Sequence, residues 1–141
     1  MDYLTEFRGR FIGIMQWSDC HALFENLIAN PAEDWYLYDT LLPMPGVTID
    51  ADNLVKSLTE IHALLKTKHQ ERYCGIVYVD DLKNPSFVKI FNPNNLGKVC
   101  GSSENPPIPQ WLLSKTKPKD VIEKFALPME EKGFISKFFK S

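Results

Sequence analysis

The residues best suited to chemistry lie around one cysteine. Cys100 is followed by Gly101, Ser102 and Ser103. A glycine among small polar residues can turn successive backbone N–H groups inward to bind an anion, and a thiol placed there can be activated as a thiolate. A cysteine nucleophile also needs an oriented base, and no histidine is tied to Cys100 by sequence. The run is thus typical either of a thiol or anion site, or of a small half-buried residue in a tight turn.

Three aspartates stand near the ends of predicted strands. Asp80 and Asp81 follow a predicted strand over residues 73–79, and Asp39 lies near the end of another over residues 35–41. If these strands are parallel, their carboxyl ends meet where α/β ligand sites form, and carboxylates there bind Mg²⁺ or a polar ligand. The spacing matches no known metal loop, and turn hydrogen bonds also account for the adjacent pair. The candidate ligand-binding residues are therefore Asp39, Asp80, Asp81, Cys100, Ser102 and Ser103, and no cofactor is expected.

The three histidines do not form a recognisable metal-binding pattern. His62 and His69 are seven residues apart on a predicted helix, whereas chelation from one helix prefers a spacing of three or four. His62 borders an apolar stripe, which indicates a core-edge histidine with a satisfied hydrogen bond. His21 follows Cys20 directly, so the two side chains point in different directions on a helix. No metal ligand is predicted.

An aromatic and lysine-rich tail over residues 128–141 is the best candidate for contact with a protein partner or a second copy. Its apolar side chains Phe134, Ile135, Phe138 and Phe139 alternate with lysines. If exposed, such a patch marks an interface. The alternative is that the tail docks on its own domain.

Composition and charge narrow the class of protein. The chain has 141 residues, of which 44% are hydrophobic and 24% charged, as expected for one globular domain. No apolar run reaches the roughly 18 residues of a membrane span. Residues 1–81 carry a net charge of −7 and residues 82–141 a net charge of +5. The basic part contains lysine but no arginine, which argues against nucleic-acid binding because lysine lacks the planar fork that reads guanine.

The cysteines and the amino-terminal residues bear on the compartment. Three cysteines without a Cys-x-x-Cys motif indicate reduced thiols. The acidic Asp2 and Glu6 stand where a signal peptide has basic residues. We therefore expect a cytoplasmic protein.

The pattern of elements predicts an α+β domain over residues 1–141. A helix over 50–71 has Asp50 as its N-cap and an apolar stripe at helical spacing. The segments 73–79 and 86–91 predict a β-hairpin. With the strand at 35–41, these elements indicate a small mixed sheet of three to four strands packed against two or three helices, with a parallel crossover.

The remaining segments are less regular. Residues 4–17 fit a helical stripe or one face of a strand, and we favour a helix. A second helix begins at Ser18 or Asp19 and ends by Asn30, because Pro31 cannot continue it. Further predictions are an ordered long loop at 92–111, a short strand at 112–113 and a helix over 118–125.

These observations predict a non-enzymatic intracellular interaction or regulatory module that acts through the long loop and the tail. The alternative is a small thiol-dependent enzyme or anion-binding protein centred on Cys100.

Overall fold

The computed structural model describes residues 2–67, 73–94 and 108–121. Within these ranges three helices and five strands follow one another. They are α1 (Tyr3–Phe7), β1 (Ile12–Ile14), α2 (Trp17–Ala29), β2 (Tyr36–Asp39), α3 (Ala51–Lys66), β3 (Val77–Val79), β4 (Phe87–Ile90) and β5 (Trp111–Ser114). None of the helices in these ranges is both long enough and apolar enough to cross a membrane.

The five strands form one antiparallel sheet in the order β1-β3-β4-β5-β2. The α+β class and the β3–β4 hairpin are confirmed, with five strands in place of three to four. The predicted parallel crossover between 35–41 and 73–79 is wrong, because three antiparallel pairings connect β2 to β3 through β5 and β4, so these two strands run in opposite directions. Residues 112–113 do form a strand, as predicted, and this strand is the direct neighbour of both β4 and β2.

Helices α2 and α3 cover one face of the sheet. The carboxylate of Asp50 accepts a hydrogen bond from the backbone N–H of Asn53 at 2.8 Å, which confirms Asp50 as the N-cap of α3. The apolar stripe of α3 is buried against the sheet together with five residues of α2. This face holds the larger core, which includes Leu58, Val77 and Leu113.

The opposite face carries a smaller core under α1. The ring of Phe87 on β4 lies 5.0 Å from that of Tyr3 and 6.4 Å from that of Phe7. Gly13 on β1 leaves room for the ring of Tyr78, which would have to shift if a Cβ stood 2.9 Å from it. The alternating burial of β4, with Val88 toward the larger core and Phe87 toward the smaller one, positions both layers.

Residues 4–17 do not form the single helix that we favoured. Helix α1 ends at Phe7, and β1 then pairs with β3 at the edge of the sheet. Gly75, with φ of +64°, lets the chain turn into β3, and its N–H donates to the carbonyl of Ile14 at 3.0 Å. The helix predicted for 118–125 does not begin at Pro118, because residues 118–120 are not helical and Val121 is the first helical residue. The rest of that helix, most of the long loop at 92–111 and the whole tail at 128–141 lie outside the described residues.

Candidate binding cleft between β2 and α3

Asp80 and Asp81 shape the turn of the β3–β4 hairpin. The carboxylate of Asp80 accepts hydrogen bonds from the N–H groups of Ser86 at 2.9 Å and Phe87 at 3.0 Å, and from the hydroxyl of Ser86. Oδ1 of Asp81 accepts from the N–H groups of Lys83 and Asn84. Both carboxylates thus make the turn hydrogen bonds that the sequence offered as the alternative to a ligand site.

Asp39 lies far from this turn. Because β2 is antiparallel to β5 and pairs Asp39 with Trp111, Asp39 stands at the opposite end of the sheet from Asp80. The structure therefore does not bring the three aspartates together. The other predicted site residues lie outside the described residues. They are Cys100, Ser102, Ser103, Phe134, Ile135, Phe138 and Phe139.

Asp39 lines a cleft that lies between the edge strand β2, the segment after β2 and helix α3. The volume of this cleft is about 440 Å³, within the range of pockets that hold ligands. Its lining residues are Leu37, Asp39, Leu42, Pro43, Ser57, Glu60, Ile61, Leu64 and Trp111. Two carboxylates, from Asp39 and Glu60, thus stand beside apolar side chains, and none of the described residues that line the cleft is basic.

A hydrogen-bonded relay fixes the carboxylate of Asp39. Its Oδ1 accepts from the backbone N–H of Leu41 at 2.9 Å, and Nε2 of Gln110 lies 3.5 Å from each carboxylate oxygen. Gln110 in turn accepts from Nδ2 of Asn92 at 2.9 Å. An ionised carboxylate has about four acceptor positions, so Asp39 keeps capacity for a donor in the cleft. The sequence suggested neither Gln110 nor Asn92 for this role.

An exposed apolar rim borders the cleft. The segment between β2 and α3 leaves four large apolar side chains in solvent: Leu41 (70% exposed), Leu42 (60%), Met44 (45%) and Val47 (75%). Single exposed apolar side chains are common, but a cluster within seven residues is typical of a protein contact surface. This rim was missed from the sequence, because Pro43 and Pro45 only indicated where the strand ends.

Helices α2 and α3 also bring two histidines together. Nδ1 of His21 lies 2.8 Å from Nε2 of His62, and the ring of His62 stacks on Phe24 at 4.9 Å. Burial, followed by the nearby charge of Lys66, lowers the pKa of His62 to about 4. His62 is therefore the satisfied core-edge histidine that was predicted, but its partner is on another helix and left no signal in the sequence. In the part of the chain that the structure describes, no three potential ligands converge on a metal position.

Two of the three cysteines meet in the larger core. Cys20 and Cys74 are 0% and 7% exposed, and both are free thiols. The hydrogen bond between the Cys20 and Cys74 thiols raises the pKa of Cys20, and burial raises that pKa further. The same hydrogen bond lowers the pKa of the Cys74 thiol to about 7, but both thiols are buried in the larger core and neither lines the cleft, so neither is placed to attack a substrate there.

A second cavity of about 340 Å³ lies beside α1. Glu6 and Arg10 bring opposite charges to its lining, and Asp80 is already bonded to the hairpin turn. This lining selects no single class of ligand.

Comparisons with protein-family models, with curated proteins and with solved structures found no match to this chain.

Proposed function

We propose that the chain is a non-enzymatic intracellular interaction module that binds a segment of a partner protein in the cleft between β2 and α3. The observation that carries this proposal is the pair of carboxylates, Asp39 and Glu60, inside an apolar cleft with an exposed apolar rim. Among the described residues that line the cleft there is no histidine or cysteine that could act with the hydroxyl of Ser57. The chemistry of the cleft therefore supports recognition rather than catalysis.

The charge of the cleft defines the chemistry of its partner. A lysine or arginine side chain has an apolar stem and a cationic head, so it fits apolar walls that end in two carboxylates. Apolar side chains on either side of that cation would cover Leu42 and Leu64, and would shield the rim from water. We expect the preferred segment to carry one basic residue among apolar ones.

The compartment forms part of the same proposal. Cys20 and Cys74 are free thiols although they lie in contact, which is typical of proteins kept in reducing compartments such as the cytoplasm.

A selection from random peptides tests the proposal. The full chain is immobilised and challenged with displayed 12-residue peptides, and we expect enrichment of peptides with a lysine or arginine flanked by apolar residues. The same selection on Glu60→Lys should lose this class. The matched control is Glu33→Lys, because Glu33 is exposed and does not line the cleft.

Affinities then refine the result. For an enriched peptide, Asp39→Asn should weaken binding about tenfold, which corresponds to about 1.4 kcal/mol. Equal enrichment on the wild-type chain and on Glu60→Lys, or no enrichment on either, would contradict binding in this cleft.

A further inference from the structure

The outer edge of β2 carries backbone groups that the rest of the described chain leaves unused. The backbone N–H of Thr40 donates to the carbonyl of Gln110 at 2.7 Å, and Asp39 is paired with Trp111. In an antiparallel pair, hydrogen bonding alternates from residue to residue. Tyr36, Tyr38 and Thr40 therefore turn their N–H and C=O groups toward β5, while Leu37 and Asp39 turn theirs away from the sheet.

Two outward carbonyls on this edge are already used. The carbonyl of Trp35 accepts from the N–H of Ile49 at 2.9 Å, and the carbonyl of Asp39 accepts from the N–H of Leu42 at 2.8 Å. Between these two contacts stand the N–H and C=O of Leu37 and the N–H of Asp39, to which the described residues make no further backbone bond. These three groups can pair with a short added strand that fits between the contacts made by Leu42 and Ile49.

The side chains of the same two residues face the cleft. Leu37 and Asp39 both line it, as expected for positions two apart on one face of a strand. A strand laid along this edge would place every second side chain over the cleft, opposite Glu60 and Ile61 of α3. Backbone bonding and side-chain recognition would thus be satisfied by one extended segment.

We propose that the partner segment binds as a sixth strand along the outer edge of β2, with a lysine or arginine opposite Asp39 and an apolar side chain two residues away opposite Leu37. This inference rests on the proposed function and specifies how the same cleft holds its partner, which is a segment of another protein. Charge complementarity supports that occupant, since a cation meets Asp39 and Glu60 while the apolar walls receive its neighbours.

Amide exchange distinguishes strand addition from other forms of binding. The probe is the synthetic peptide acetyl-Ser-Ile-Thr-Lys-Thr-Phe-Ser-amide, which places isoleucine, lysine and phenylalanine on one face of an extended chain. At millimolar probe, exchange of the Leu37 and Asp39 amide protons in the full chain should slow about tenfold. The amide protons of Tyr36 and Tyr38, already directed at β5, should keep their rates. The control probe replaces lysine by glutamate and should protect neither pair.

A matched pair of variants tests the backbone contribution. Leu37→Pro removes an outward N–H that makes no bond in the sheet, and proline is tolerated at such edge positions. Leu37→Ala removes the same side chain but keeps the N–H. We expect Leu37→Pro to weaken probe binding at least about fivefold more than Leu37→Ala does, because a strand hydrogen bond is lost.

Each remaining outcome would overturn a different part of the proposal. Probe-dependent shifts at Glu60 and Ile61 without protection of Leu37 and Asp39 would overturn strand addition while leaving the cleft as the binding site. Protection of the Leu37 and Asp39 amides that rises with chain concentration in the absence of probe would overturn the assignment to another protein, since a second copy would then fill the edge. Failure of both this probe and the random peptides to bind would overturn the proposed function itself.

Discussion

Acid should destabilise the fold through His62. This imidazole is 5% exposed, and its Nε2 is 2.8 Å from Nδ1 of His21. The pKa of His62 is lowered by burial from 6.5 to about 4. Between these values the unfolded chain binds a proton that the folded chain refuses, so the free energy of unfolding falls as the pH drops through this window. The contribution is fully present above the unfolded pKa and declines as the pH approaches 4.

The size of the effect follows from the same two values. The difference between a pKa of 6.5 and one of about 4 corresponds to an upper limit of about 3 kcal/mol. Only part of this free-energy difference develops by pH 5, and solvent near the half-buried His21 reduces that part by screening. We therefore expect a loss of about 1 kcal/mol between pH 7 and pH 5.

Urea unfolding of the wild-type chain and of His62→Gln measures this contribution. Glutamine can still bond to His21 but does not titrate, so the carboxylates, which titrate in both proteins, cancel in the difference. The difference in unfolding free energy between the two proteins should change by about 1 kcal/mol between pH 7 and pH 5, at the expense of the wild type. A difference that is the same at both values would mean that folding leaves the protonation of His62 unchanged, and the reasoning would be refuted.

Three other perturbations test separate parts of the structure. Lys89→Met should stabilise the fold by about 1 kcal/mol in urea unfolding at pH 7. Burial lowers the pKa of Lys89 to about 8 and so penalises its charged form. The rings of Phe7 and Phe11, whose centroids lie 4.4 and 4.0 Å from Nζ, offset part of this penalty. A destabilised variant would show that the rings outweigh the burial. Gly75→Ala should lower the melting temperature, with a loss of about 1 kcal/mol or more, since φ is +64° there; an unchanged melting temperature would contradict it. Cys20 and Cys74 are buried, so they should react with iodoacetamide only after unfolding. If Cys100 reacts no faster than free cysteine at neutral pH, the thiol-enzyme hypothesis is refuted.

The sequence predicted the elements better than their arrangement. Helix α3 was predictable because its cap, Asp50, and its apolar stripe are local signals. The hairpin was predictable because Asp80 and Asp81 stand at its turn. The order of the strands was not, because the pairing of β2 with β5 joins residues far apart in sequence, and no local pattern specifies it.

The candidate site was predictable only in part. Asp39 was selected for a reason that the antiparallel sheet removes, namely its expected proximity to Asp80. Its actual neighbours, Glu60 on α3 and Gln110 before β5, come from distant segments that meet only in three dimensions. The same holds for His21 and His62, which lie on different helices, so no local pattern connects them.

The position of β5 has a consequence for synthesis on the ribosome. β5 lies between β4 and β2, and Gln110 beside it holds the carboxylate of Asp39. A growing chain that has not yet released residues 110–114 therefore has no neighbour for β2 and no complete wall around the cleft. Helices and hairpins made of nearby residues form before such distant pairings. The surface that we assign to partner recognition thus arises only after residues 110–114 have been made, so partners that depend on it cannot capture a shorter nascent chain.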